Sequence, residues 1–253
     1  MAVHESFISG QVVVNARAAA RVREKRFYLL SGILFVVLVV IGFSKNYYLR
    51  PFFPDMGPLY SNMVRFHGVV MTAWVLLFAT QTWLVSSKRV KLHMKLGWVG
   101  VGLAILVLTT GYAVSVGALE HQTAADRGGI PPLAFLVVPL ADLVLFILFF
   151  GLAIYWRKRP AEHKRLMLLT AANFLPPAAA RVPIPFLLAM GPWWLFGLPT
   201  VLTVAALIYD TWRNGRVNRV FLAGSIVLIA SFPIRIMIAG TETWISFAQW
   251  LTS

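Results

Sequence analysis

The sequence predicts an all-α polytopic membrane protein: a bundle of about seven transmembrane helices with a C-terminal interfacial amphipathic helix. Three observations carry that reading. Of the 253 residues, 59% are hydrophobic and only 13% are charged, against about 25% charged in a soluble domain. Apolar runs long enough to cross a hydrocarbon core of about 30 Å, at about 1.5 Å per helical residue, recur along the chain. The basic residues gather in alternate connections between those runs, as the positive-inside rule requires of a multi-pass protein.

Residues 1–26 form a basic segment ending in "RVREKR". The first apolar run, Phe27–Phe43, follows it as the core of a signal peptide would. What comes next is "SKNYYLRPFFP" and not a small-residue cleavage site, so the run reads as a retained span. The second to fourth runs are Met63–Ser86, Leu96–Val116 and Pro132–Trp156. The fifth, Leu166–Met190, is irregular, because "LPPAAARVPIPF" places Pro176, Pro177, Pro183 and Pro185 inside it. Each proline removes a backbone donor and clashes with the carbonyl one turn earlier, so this helix must kink or break. Freed backbone groups at membrane depth are tolerated only against protein or a wet cavity, so the break is either a structural kink or a pointer to a site.

Trp193–Trp212 and Val220–Gly240 complete the seven, a transmembrane domain over 27–240. In the tail, residues 241–253, Trp244, Phe247 and Leu251 fall at helical spacing and suit an amphipathic helix on the outer interface.

Seventeen of the 23 basic residues lie in the N-terminal segment and in "SSKRVKLHMK", "WRKRPAEHKR" and "RNGRVNR"; the others are Lys45, Arg50, Arg65, Arg127, Arg181 and Arg235. This asymmetry places the N-terminus in the cytoplasm and the C-terminus outside. It also accounts for the net charge of +14 as a matter of orientation and not of nucleic-acid binding.

Ionisable groups within spans are costly and normally face a bundle interior. His67 lies about 6–9 Å inside the outer end of the second span, with Gly68 beside it giving room for another helix or a flat ligand. Below it on the same face stand Met71, Trp74, Phe78 and Gln81. Asp142 sits near mid-membrane in the fourth span, while Arg181 and Arg235 fall in the outer halves of the fifth and seventh. These four can converge, with Asn173 below Arg181, on a pocket for a carboxylate, a haem propionate, a lipid phosphate or a quinone head group. Alternatively an Arg181–Asp142 or Arg235–Asp142 pair only fastens helices together.

His93 and His163 stand at cytoplasmic helix ends, His67 and His121 on the outer side, the latter in "GALEHQTAADRGG" beside Glu120 and Asp126. Two imidazoles at equal depth on different helices can hold a b-type haem, and His with nearby carboxylates can hold a metal ion. With no cysteine in the chain, a metal or haem must use His, Met, Asp, Glu or Tyr. There is no phosphate-cradling glycine loop, HExxH or exposed nucleophile motif, which excludes the common soluble chemistries.

The block "FHGVVMTAWVLLFATQTWLVSSKRVKLHMKLGW" resembles a family of bacterial polytopic membrane proteins of unknown function. That family's pattern is His-Gly opening a span, Gln near its far end, a short basic loop, then His followed by Leu-Gly. "EHKRLMLLTAANFLPPAAARV" is similar to its later segment, a His-initiated span ending in Arg. Met94 stands where the family usually has Arg. The four helix-end histidines are similar, more distantly, to those of two-haem membrane reductases of the b-type cytochrome class. The resemblance implies His67, His93 and His163 as motif residues and the bacterial inner membrane as the location.

Together these features predict a redox-associated membrane protein that binds haem b, a metal ion or a quinone. The cofactor candidates are His67, His93, His163, Arg181, Arg235 and Asp142, with His67 and His121 as metal candidates. Two alternatives stand beside it: a non-catalytic accessory or assembly subunit of a larger respiratory or photosynthetic membrane complex, and a small-anion carrier using the broken fifth helix and Arg181.

Overall fold

The fold was obtained as a computed structural model, which describes residues 2–54, 59, 61–124 and 129–253, the side chains of residues 2–17 excepted. Among the described residues every regular element is helical. Six helices are long and apolar enough to cross a membrane.

Helix α1 (Ala2–Phe43) carries the first span and ends in a π-helical turn over Ser44–Tyr48. Helix α2 (Asn62–Ser86) starts where Ser61 accepts a capping hydrogen bond from the N–H of Val64 at 3.2 Å. A three-residue turn containing Lys88 at φ 61° reverses the chain into α3 (Val90–His121). The fourth run folds as a single turn, α4 (Pro132–Phe135), followed by α5 (Val137–Tyr155). Helices α9 (Pro192–Asn214) and α10 (Arg219–Ala239) follow the sixth and seventh runs.

The fifth run differs from a continuous helix. It consists of α6 (Pro160–Asn173), α7 (Leu175–Ala179) and α8 (Pro185–Ala189). Pro176 and Pro185 stand in the first turns of α7 and α8, where a missing N–H costs nothing. In a single helix the same prolines would have orphaned carbonyls one turn back. Leu166–Met190 is therefore not one of the six continuous spans.

Two apolar cores share α5 and α6. One joins Phe35 and Val39 of α1 to Trp74 and Phe78 of α2, Phe146 of α5 and Ala178 of α7. The other joins Phe149 of α5, Leu166 and Leu169 of α6, Phe196 of α9 and Leu228 and Phe232 of α10. Gly42 of α1 lies so close to Ala178 that a Cβ there would sit 2.3 Å from the Ala178 carbonyl oxygen. Glycine is what lets α7 press onto α1.

Large apolar side chains line the exposed faces of the long helices, among them Leu30, Val69, Trp98, Val144, Val201 and Met237, which suits a lipid bilayer. Trp193 is 84% exposed and Trp250 70% at one end of the bundle, with Trp212 77% and Tyr155 75% at the other, the distribution of an interfacial aromatic belt. The tail forms α11 (Glu242–Thr252), whose Ala248 is buried and whose Trp244 indole N–H donates to the Leu133 carbonyl at 2.9 Å. Phe247 and Trp250 face outward.

Candidate functional site

The ends of the bundle differ in charge. The basic end gathers the starts of α3, α6 and α10 and the end of α9, where Glu24 of α1 pairs with Lys164 and Arg213; the opposite end holds the starts of α2 and α9 and the tail. The polar groups at membrane depth sort into three places.

Near the opposite end, Arg235 of α10 donates to Asp142 Oδ1 of α5 at 2.6 Å and, more weakly, to the Val138 carbonyl and the Ser231 hydroxyl at 3.3 Å each. Asn173 of α6 donates to the Asp142 backbone carbonyl at 2.8 Å. The pair is almost wholly withdrawn from the surface. Two buried atoms lack partners, Arg235 Nε and Asn173 Oδ1.

The structure does not bring all four outer candidates to one pocket. His67 is separate: its Nδ1 lies 2.9 Å from Thr110 Oγ1 of α3. Because the Thr110 hydroxyl donates to the Leu106 carbonyl at 2.6 Å, it accepts from His67, which assigns the proton to Nδ1. Arg181 follows α7, donates to the Pro177 carbonyl at 2.8 Å, covers the Phe43 ring at 5.0 Å and lies within electrostatic reach of His67. The space that Gly68 opens is taken by the ring of Tyr47 from the same chain, whose hydroxyl donates to the Arg65 carbonyl at 2.8 Å. Below His67, Trp74 packs edge-on to Phe146 and Phe150, with its indole nitrogen unpartnered.

His121 closes α3 about 16 Å along the helix axis from Thr110, so the expected His67–His121 metal pair is not assembled. Asp126 and Arg127 lie outside the described residues. Among the described residues no three His, Asp or Glu side chains gather as a metal cluster.

At the basic end, His93 of α3 and His163 of α6 meet edge to face, with ring centroids 6.2 Å apart and planes at 78°. Each ring is fixed through Nδ1. The His163 nitrogen bonds the Ala153 carbonyl of α5 at 2.9 Å. The His93 nitrogen meets Gln81 of α2. With its carboxamide oriented to satisfy both ends, Gln81 donates to His93 Nδ1 at 2.6 Å and accepts from the Gly97 N–H at 3.1 Å. In that orientation Nδ1 accepts, which places the proton of a neutral His93 on Nε2. The pair thus engages four helices, and Gln81, read in sequence as the foot of the His67 face and as the Gln of the resembled pattern, is its orienting group.

A second buried ion pair at this end was not anticipated. Arg165 of α6 grips Asp210 of α9 with two parallel hydrogen bonds, Nε to Oδ2 at 2.9 Å and Nη2 to Oδ1 at 2.8 Å, while its Nη1 donates to the Ala161 carbonyl at 2.5 Å. Its cue in the sequence is periodicity: Arg165, Leu169 and Asn173 share one helical face with spacing of four, and Phe196, Thr203 and Asp210 share another with spacing of seven.

Comparison with known proteins adds no further constraint: no family model, curated protein or solved structure matches this chain. The functional reading rests on the geometry.

Proposed function

We propose that this is a redox-associated integral membrane protein that holds a haem or a metal ion between His93 and His163. The observation that carries the reading is the edge-to-face imidazole pair with ring centroids 6.2 Å apart. Two facing imidazoles that share a metal at about 2 Å per nitrogen have ring centroids about 6 Å apart. His163 donates its Nδ1–H to the Ala153 carbonyl, which leaves Nε2 for coordination as is usual around a ligating histidine; His93 would coordinate through Nε2 with Gln81 turned so that its carboxamide oxygen accepts from Nδ1–H, at the expense of the Gly97 bond. The residues fit such a group, which would supply one-electron chemistry that no side chain of this chain provides. What the chain supplies is orientation: Ala153 and Gln81 set the ring planes. Asp142 and Arg235 satisfy each other and drop out of the ligand set, and His67 with Arg181 forms a separate outer group.

In this reading the broken α6–α7–α8 segment completes a seventh crossing. The N-terminus is cytoplasmic, α11 lies on the outer interface, and the location is a bacterial cytoplasmic membrane.

The test is an oxidised and a dithionite-reduced absorption spectrum of the detergent-purified protein, with elemental analysis of the same sample. The expected result is a Soret band that shifts on reduction, or a stoichiometric metal. Either is lost in His93→Ala and in His163→Ala and kept in His67→Ala. A colourless, metal-free protein overturns the reading in favour of an accessory membrane subunit.

A further inference from the structure

The basic end also carries a cleft of about 710 Å³ between α1 at Glu24, the start of α6 and the α9–α10 turn. Five cations line it: Lys164, Arg165, Arg213, Arg216 and Arg219. The lining carboxylates are Glu24 and Glu162. The positive-inside rule explains why cations occupy these loops, but not why residues from three elements converge on one recess. Their pairing is also unequal. Arg165 is neutralised from behind by Asp210. Lys164 and Arg213 share the single carboxylate Glu24, Arg213 at 3.0 Å. Arg216 and Arg219 are exposed and, among the described residues, form no ion pair. The cleft also borders the first turn of α10, whose partial positive charge adds to theirs.

We propose that this cleft binds the phosphate group of an anionic ligand, with Arg216 and Arg219 as the recognising side chains. The size of the recess, well above that of a bare phosphate, and the exposed Trp212 beside the turn match a phosphoglycerol headgroup at the membrane surface, since basic pockets between spans on one face are a usual seat for anionic headgroups. A soluble phosphate compound carries the same chemistry, and the experiment separates the two sources. This site is independent of the histidine pair.

The protein is reconstituted in phosphatidylcholine nanodiscs. Retention of phosphatidylglycerol is measured by native mass spectrometry, and binding of inorganic phosphate by calorimetry. Three proteins are compared: the native chain, Arg216→Gln/Arg219→Gln, and Lys88→Gln/Lys158→Gln, which removes the same charge from exposed turns elsewhere. The expected result is retained phosphatidylglycerol whose affinity falls about 10- to 30-fold in the arginine variant and is unchanged in the lysine variant. Binding of inorganic phosphate with the same variant dependence supports the site and assigns it to a soluble ligand. Equal loss in both variants reduces the effect to general surface charge and overturns the proposal, as does an absence of binding by either probe. Both variants alter exposed residues, and unchanged thermal unfolding confirms that each is folded.

Discussion

The two buried arginine–aspartate pairs are built from the same chemical parts and finished differently. At the basic end, Arg165 uses Nε and one terminal nitrogen on the two oxygens of Asp210 and the other terminal nitrogen on a backbone carbonyl. Near the opposite end, Arg235 reaches Asp142 through one nitrogen only, its remaining contacts are 3.3 Å long and its Nε is orphaned. Their surroundings invert that order. Arg165 lines a cleft open to water, whereas Arg235 lies about 24 Å from the start of α10, beside Phe232 and the second apolar core. The better-made pair stands where a charge has an exit, and the poorer one where it has none.

That difference predicts the largest effect. Removing one partner of a buried pair strands the other charge, at a cost of about 3–5 kcal/mol. Asp142→Ala should suffer that in full, because the guanidinium of Arg235 has nowhere to rehydrate. Asp210→Ala should lose about half as much, because Arg165 can turn into the cleft and recover water. Replacing the whole Arg235–Asp142 pair, Arg235→Met with Asp142→Leu, should return most of the loss, as well-packed apolar substitutes for buried pairs commonly do. Thermal unfolding in detergent reads all three. Equal losses for the two aspartate variants would show that the cleft gives Arg165 no relief.

Conservative exchange of the cations should reverse the ranking. A lysine is a point charge without the planar fork. Arg165→Lys gives up the bidentate grip and the Ala161 contact together, and should cost about 2 kcal/mol. Arg235→Lys keeps a single-point ion pair of the kind already present and removes the orphaned Nε, so it should cost about 1 kcal/mol or less. The two variants, measured side by side, decide whether hydrogen-bond completeness or burial depth dominates at each site.

The contrast also governs what could be read in advance. Asp142 and Arg235 interrupt long apolar runs, and hydropathy exposes them at once. Which arginine Asp142 would take was not legible, since it depends on α5 packing against α10 while the proline break turns Arg181 toward Phe43 of α1. Arg165 and Asp210 were hidden for a different reason. Each lies within about 8 Å of a helix end, among loop charges that linear composition cannot tell from solvated ones. His93 and His163 were legible as candidates but not as a pair. Their setting among cations reads as interfacial, and the juxtaposition of α3 and α6 brings them together. The helices themselves were largely legible, including the break of the fifth run, because hydrophobic length and proline chemistry act locally. Pairings across helices depend on rotation and neighbour choice, which no single run contains.

The smallest expected effect tests how much of the weakness of the Arg235–Asp142 pair is geometric. Ser231 stands one turn before Arg235 on α10, and its hydroxyl both donates to the Leu228 carbonyl at 2.6 Å and meets Arg235 Nη2 at 3.3 Å. The first bond is short and local; the second is long. If the second contributes little, Ser231→Ala should change stability by about 0.5 kcal/mol or less, below the usual figure of about 1 kcal/mol for a hydrogen bond within a protein. A loss above about 1.5 kcal/mol, the level associated with bonds to charged groups, would mean that Ser231 holds the guanidinium in place. Arg235 would then depend on its own helix as much as on Asp142, and Asp142→Ala should cost correspondingly less than the full penalty of a stranded charge.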